Sequence, residues 1–87
     1  MTATPGVPGT RYLDLAWTGN ATNATAQYLQ WSGNGVEWKA LATCSAGVRS
    51  YRHSGLVVGV TNWYRLRAYY TGGGYSAFSE AVPGVAQ

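Results

Sequence analysis

The stretch from Asn62 to Tyr70 reads NWYRLRAYY and carries the strongest structural signal in the chain. Its side chains alternate, so that Tyr64, Leu66 and Ala68 share one face of an extended strand. Aromatic and aliphatic residues in this period favour a β-strand that is buried on one side. We therefore expect the longest strand of the fold here. Its outward face is then made of Trp63, Arg65, Arg67 and Tyr69.

The same period of two recurs on both sides of this stretch, with turn residues about every ten positions. Residues 1–9 hold two of the three prolines and suit a lead-in with a weak edge strand, because proline cannot donate to a strand ladder. Leu13, Leu15 and Trp17 alternate inward in the next strand. Further strands are predicted at Gln27 to Ser32, Val36 to Ala42 and Gly74 to Val82, and Arg49 to Leu56 is predicted to carry a short strand and a corner.

Glycine and asparagine mark the predicted turns. Asn34-Gly35 predicts a tight hairpin, and Pro83-Gly84 is expected to end the last strand. Thr18 to Ala26 is predicted to be a small-residue loop. Its Asn20 and Asn23 triplets match N-glycosylation acceptors, but asparagines that cap their own backbone explain them better. The pattern indicates an all-β antiparallel sandwich or barrel that forms one domain over residues 1–87, without a helix of useful length.

Composition narrows the classes of function. Charged residues are only 10% of the 87, and the six cations are dispersed from Arg11 to Arg67, so nucleic acid is not an expected partner. A single cysteine and a single histidine leave no internal disulfide and no metal site of the common kinds. No apolar run approaches the ~20 residues that cross a membrane. We expect no cofactor and no membrane partner.

Catalytic groups are sparse. The side-chain carboxylates of Asp14, Glu37 and Glu80 fall on different predicted elements, and His53 has no nucleophile elbow or oxyanion loop to accompany it. We expect no catalytic residues and no enzyme. His53 is predicted to make a hydrogen bond at a corner, and Cys44 to be a small, partly buried filler.

Five motifs, taken in order, resemble a fibronectin type III domain of the kind repeated in bacterial secreted enzymes and phage structural proteins. They are LDLAW at 13–17, WSGNGVEW at 31–38, SYRHSGL at 50–56, YRLRA at 64–68 and GYSAFS at 74–79. The resemblance covers nearly the whole chain. It implies an immunoglobulin-like sandwich of two antiparallel sheets with about seven strands.

The chain departs from the family pattern at three positions. Where the family usually has the tyrosine of its tyrosine corner, this sequence has Asn62, so either Asn62 caps the corner or Trp63 fills the gap. The family pattern has a tyrosine near Gln27, but here the tyrosine is the next residue, Tyr28. The sequence therefore does not decide which side chains face inward at the start of that strand. His53 replaces a common aspartate.

The outward face of the longest strand is the candidate contact surface. Neighbouring strands are expected to add Tyr28, Gln30 and Tyr75 to Trp63, Arg65, Arg67 and Tyr69. Arginine, tryptophan and tyrosine dominate interface hot spots. The same residues also stack across solvent-facing strands without any ligand, and aromatic rings stack on sugars, so all three interpretations remain open. Gly72, Gly73 and Gly74 are expected to form a flexible hairpin tip that adapts to a partner.

These features predict a non-enzymatic structural or protein-interaction module on the surface of a larger assembly. A phage virion decoration or tail component is one such role, with other assembly proteins or copies of the chain as partners. The chain begins at Met1 and lacks an export signal, which suits a virion protein released by lysis. The alternative is a spacer or carbohydrate-binding module of a secreted multidomain hydrolase or adhesin, with polysaccharide as ligand. The expected location is the virion surface or the extracellular space.

Overall fold

The computed structural model describes residues 1–18 and 24–87, and within them the chain forms seven β-strands and no helix. The glycosylation triplets at Asn20 and Asn23 lie outside the described residues. The strands are β1 (Thr2–Pro5), β2 (Leu13–Ala16), β3 (Ala24–Ser32), β4 (Lys39–Ser45), β5 (Ser50–His53), β6 (Thr61–Tyr70) and β7 (Val82–Val85).

The strands form two antiparallel sheets that pack face to face. The smaller sheet has the order β1-β2-β5, and the larger has the order β4-β3-β6-β7. The predicted all-β sandwich of about seven strands is confirmed, and β6 is the longest strand, as expected. β1 lies at an edge of its sheet, where the missing N–H of Pro5 is tolerated.

Alternating side chains of both sheets fill the core between them. Leu13 and Leu15 of β2 are completely buried, and Leu29 and Tyr64 meet them from the larger sheet. Trp17 follows directly after β2 and is also part of the core. Burial of these large side chains is the main favourable contribution to the stability of a domain of this size.

Two polar pairs cross the core from one sheet to the other. The indole Nε1 of Trp17 donates to Gln27 Oε1 at 2.8 Å, and Tyr64 Oη lies 2.8 Å from His53 Nδ1. Gln27 is buried and Tyr28 points outward, which settles the inward face at the start of β3. Because each polar atom has a partner, burial costs much less than it would for unpaired groups.

Asn62 takes the place of the corner tyrosine. Its side chain is buried, its amide nitrogen donates to the Val60 carbonyl at 3.1 Å, and its Oδ1 accepts from Trp31 Nε1 at 2.9 Å. The first of the two alternatives is therefore the one that the structure adopts. Asn62 caps the entry of β6, and Trp63 lies on the outer face.

The hairpin predicted at Asn34-Gly35 is wrong in its length. Only Gly35 has a positive φ, of 77°, whereas a tight turn of that kind needs a positive φ at both central residues. The Asn34 carboxamide oxygen instead accepts from the backbone N–H groups of Val36 and Glu37. These side-chain bonds hold a wider loop, so the returning strand starts at Lys39 rather than at Val36.

Two other predicted boundaries are also wrong. β3 begins at Ala24, within the predicted loop, because Ala24 and Ala26 pair with β6. The last strand is Val82–Val85 rather than Gly74 to Val82, and Pro83 and Gly84 lie inside it. β7 is an edge strand, where a proline without an N–H does not interrupt pairing.

Candidate functional site

The strand register brings the predicted contact residues together on the outer face of the larger sheet. β3 and β6 pair so that Tyr28 lies opposite Arg67 and Gln30 lies opposite Arg65. Tyr75 joins them through an isolated bridge to Tyr69. This arrangement follows from the period of two, because residues at alternate positions of paired strands share one face.

The two arginines of β6 stack between aromatic rings. The Arg65 guanidinium carbon lies 4.3 Å from the Trp38 ring centre and 3.9 Å from that of Phe78. The corresponding carbon of Arg67 lies 4.5 Å from Phe78 and 3.9 Å from Tyr75. We call these five side chains the arginine ladder. Such contacts stabilise by about 0.5–1 kcal/mol each at exposed sites.

Trp38 and Phe78 belong to the arginine ladder, although the sequence prediction did not include them. Phe78 is placed by the segment that follows the glycine tip, where an aromatic residue is twice followed by serine, in Tyr75-Ser76 and Phe78-Ser79. That repeat, opposite two arginines at alternate positions of β6, is the signal from which the ladder can be recognised. Trp38 lies in the wide loop and carries no comparable pattern.

Serine side chains fix the segment that carries Tyr75 and Phe78. The hydroxyl oxygens of Ser76 and Ser79 accept from the backbone N–H groups of Ala68 and Leu66 at 2.9 and 3.0 Å. The backbone N–H groups of the same serines donate to the carbonyls of Ala68 and Leu66. Each serine therefore satisfies both backbone groups of a β6 residue, and the aromatic residue before it lies over the outer face.

Two further tyrosines, Tyr28 and Tyr69, contact Tyr75 and extend the ladder along the sheet. Tyr28 and Tyr75 have ring centres 5.6 Å apart, and Tyr69 lies 5.1 Å from Tyr75. Tyr75 is the most exposed of them, at 52%. The adjoining tip of Gly72, Gly73 and Gly74 is exposed, and two of its glycines have positive φ, so that Tyr70 N–H donates to Gly74 O.

Side chains on the outer face of the larger sheet therefore already contact one another. Arg65 Nε donates to Gln30 Oε1 at 2.8 Å, and the Trp63 ring lies 3.6 Å from where a β-carbon on Gly35 would be. A groove of about 280 Å³ stays open beside the ladder, between Tyr28 and Tyr75 on one side and Thr43 of β4 on the other. Arg67 also lines this groove.

Three other chemically active side chains, those of His53, Cys44 and Asp14, lie outside the ladder. Burial lowers the pKa of His53, which is bonded to Tyr64, and burial raises the pKa of the Cys44 thiol. Asp14 forms a two-point ion pair with Arg52 on the smaller sheet, and that hydrogen bond lowers the pKa of its carboxyl group. Within residues 1–18 and 24–87, no three His, Cys, Asp or Glu side chains cluster to hold a metal ion. In the same range, no helix has the length and apolar character to span a membrane.

No family model and no curated protein matches the sequence. Solved structures do match. A β-1,2-glucanase from Parabacteroides distasonis superposes with a TM-score of 0.83 at 17% identity, over 99% of this chain and 12% of that chain. A fibronectin type III-like protein from Clostridium thermocellum gives 0.79 at 21% identity, over 99% and 84%. The sixth fibronectin type III domain of human fibronectin type III domain containing protein 3 gives 0.76 at 23% identity, over 97% and 79%.

These similarities define the class of protein: the chain has the fibronectin type III fold, as the five motifs implied. Identities this low carry the fold but not an activity. The chain spans only 12% of the length of the glucanase chain, so no activity of that enzyme is carried over to it.

Proposed function

We propose that this chain is a non-enzymatic module of a larger protein or assembly and that it makes its contact through the outer face of the larger sheet. The observation that carries the proposal is the arginine ladder, which fixes two arginines and three aromatic rings on one surface. Arginine and aromatic anchors held in place lose little conformational entropy when they bind.

The reactive groups of the described residues support a non-enzymatic role. His53 is bonded to a core tyrosine, the Cys44 thiol is buried with a raised pKa, and Asp14 is paired with Arg52. A general base or nucleophile needs access to a substrate and a partner that activates it. None of these three side chains has both access to a substrate and a partner that activates it.

The partner that we propose first is another protein of the assembly, or a second copy of the chain. A phage virion remains a predicted setting for it. The setting of an accessory module in a secreted hydrolase has a specific observation in its favour, because the same fold makes up 12% of a β-1,2-glucanase chain. In that setting the aromatic surface has a second candidate role, the binding of polysaccharide.

The experiment compares matched variants in the source organism. Tagged chains are expressed there, and the fraction that sediments with high-mass material is measured. Replacing Trp63 and Arg65 by alanine is expected to lower that fraction at least about tenfold, since hot-spot residues contribute about 1–2 kcal/mol or more each. Arg52→Ala is the control, because Arg52 stacks on Tyr12 at 3.9 Å but lies on the smaller sheet.

Circular dichroism of each purified variant establishes that it is folded. Equal sedimentation of the double variant and the wild type removes the outer face from the proposal. A wild-type chain that does not sediment with high-mass material refutes the proposed contact with other proteins of an assembly.

A further inference from the structure

The groove beside the arginine ladder has an unusual lining for an open surface. Its lining includes the rings of Tyr28 and Tyr75, whose centres are 5.6 Å apart, and small residues of β4 such as Ala40. The polar side chains that line it are Gln30, Thr43 and Arg67. Among the described residues, no Asp or Glu lines the groove.

The polar side chains of the groove have unused hydrogen-bonding capacity. No described residue accepts a hydrogen bond from the Arg67 guanidinium, and its Nε is buried without a partner. Among the described side chains, Gln30 uses its carboxamide oxygen for Arg65, and nothing pairs with its amide nitrogen. The Thr43 hydroxyl likewise makes no hydrogen bond to another described residue, although its backbone pairs with Tyr28.

This combination defines the chemistry of a ligand. Arginine surrounded by rings and without a carboxylate partner favours an anion, and the planar fork of arginine matches a carboxylate in particular. Tyrosine rings offer apolar faces of the size of a sugar ring, and amide and hydroxyl groups match sugar hydroxyls. The net charge of the chain, +3, favours an anionic ligand further.

We propose that this groove binds the carboxylate-bearing sugar rings of an acidic polysaccharide. Arg67 pairs with the carboxylate, Tyr28 and Tyr75 stack against the apolar face of the ring, and Thr43 and Gln30 bond its hydroxyls. The proposal rests on the polysaccharide role given as the second candidate above. The polysaccharide is then negatively charged, and it binds in the groove beside the arginine ladder.

The test uses the whole chain and three probes. Tetragalacturonate is the acidic sugar, a β-1,2-linked glucose tetramer is the neutral sugar, and a tetraglutamate peptide carries acidic groups without sugar rings. Binding is followed by amide chemical shifts in two-dimensional NMR and by calorimetry. Tetragalacturonate is expected to shift the amides of Thr43, Tyr28 and Tyr75, and to bind at least about tenfold more tightly than either other probe.

The variants separate the groove from the rest of the surface. Arg67→Gln is expected to weaken tetragalacturonate binding about tenfold, and Thr43→Val about two- to threefold. Arg52→Gln is the matched control, since Arg52 also stacks on a tyrosine ring, that of Tyr12, but lies on the smaller sheet and does not line the groove. It is expected to change the affinity less than about twofold.

Three results overturn the proposal. The first is the absence of saturable shifts at millimolar tetragalacturonate, and the second is an Arg52→Gln variant that binds as weakly as Arg67→Gln. The third is tighter binding of tetraglutamate, which assigns the groove to an acidic protein segment. The proposed module function is tested by sedimentation of the Trp63 and Arg65 variant, so it survives or fails separately from the sugar site.

Discussion

Gln27 is expected to be the most sensitive polar position in the fold. It is 5% exposed, and its carboxamide oxygen accepts from the indole nitrogen of Trp17, which is 7% exposed. Its amide nitrogen lies within 3.3 Å of the carbonyl oxygens of Ser45, Ala46 and Val48. One side chain thus joins β3, the core tryptophan and the turn after β4.

Gln27→Met keeps the approximate volume of the side chain and removes its hydrogen bonds. The Trp17 N–H then stays buried without an acceptor, at a cost of about 1–3 kcal/mol, and the turn carbonyls lose donors worth about 1 kcal/mol together. Part of this loss is offset by the apolar surface of methionine. We expect the free energy of unfolding to fall by about 2 kcal/mol, which for a domain of this size lowers the Tm by about 8–16 °C.

The measurement is urea denaturation followed by circular dichroism, with the slope against urea checked for two-state behaviour. Gln30→Met is the matched control, because Gln30 lies on the same strand but on the outer face, and its expected cost is under about 1 kcal/mol. Trp17→Phe removes the donor of the same bond, so the double variant should show a coupling of at least about 1 kcal/mol. A Gln27→Met chain as stable as the wild type, within about 0.5 kcal/mol, would refute the assignment of Gln27 as a core bridge.

Three further predictions concern other buried polar groups. Asn62→Ala removes the acceptor of Trp31 Nε1 and the donor to the Val60 carbonyl, and should cost about 2 kcal/mol by urea denaturation; an unchanged midpoint contradicts the corner role. Burial lowers the pKa of His53 from 6.5, so the unfolded chain binds its proton more tightly. The free energy of unfolding should therefore fall as the pH drops from about 7 through 6.5, and His53→Asn should lose that dependence. The Cys44 thiol, buried with a raised pKa, should react with a disulfide reagent only slowly until urea unfolds the chain, whereas fast labelling of the folded protein contradicts its placement in the core.

Most of the fold can be predicted from alternation. The inward positions Leu13, Leu15 and Tyr64 were identified because each follows the period of two within a strand, and all are buried. The predicted strand boundaries were wrong where side chains compete with the backbone for hydrogen bonds. Asn34 widened a hairpin in this way, and Ser76 and Ser79 replaced part of the expected last strand.

The contact surface, too, could be predicted only in part from the sequence. The position of Arg65 and Arg67 on one outward face followed from their spacing, and the register with β3 placed Tyr28 and Gln30 beside them. Whether the guanidinium groups of Arg65 and Arg67 are free or already stacked on aromatic rings depends on residues that are distant along the chain. Trp38, which stacks on Arg65, has no local pattern that assigns it to the ladder, whereas Phe78 can be recognised from the repeat of an aromatic residue followed by serine.

The sequence by itself determined the class of fold, because alternating apolar residues are buried by an antiparallel sandwich or barrel, and the resemblance to fibronectin type III domains implied the two-sheet sandwich. Only the tertiary structure decided how the polar side chains are paired. It made Gln27 a bridge across the core, Asn62 the cap of β6, and Arg67 a cation with open hydrogen-bonding capacity beside a groove. Hydrogen bonds are short-ranged and directional, so these pairings depend on which strands become neighbours, a property that no local pattern records.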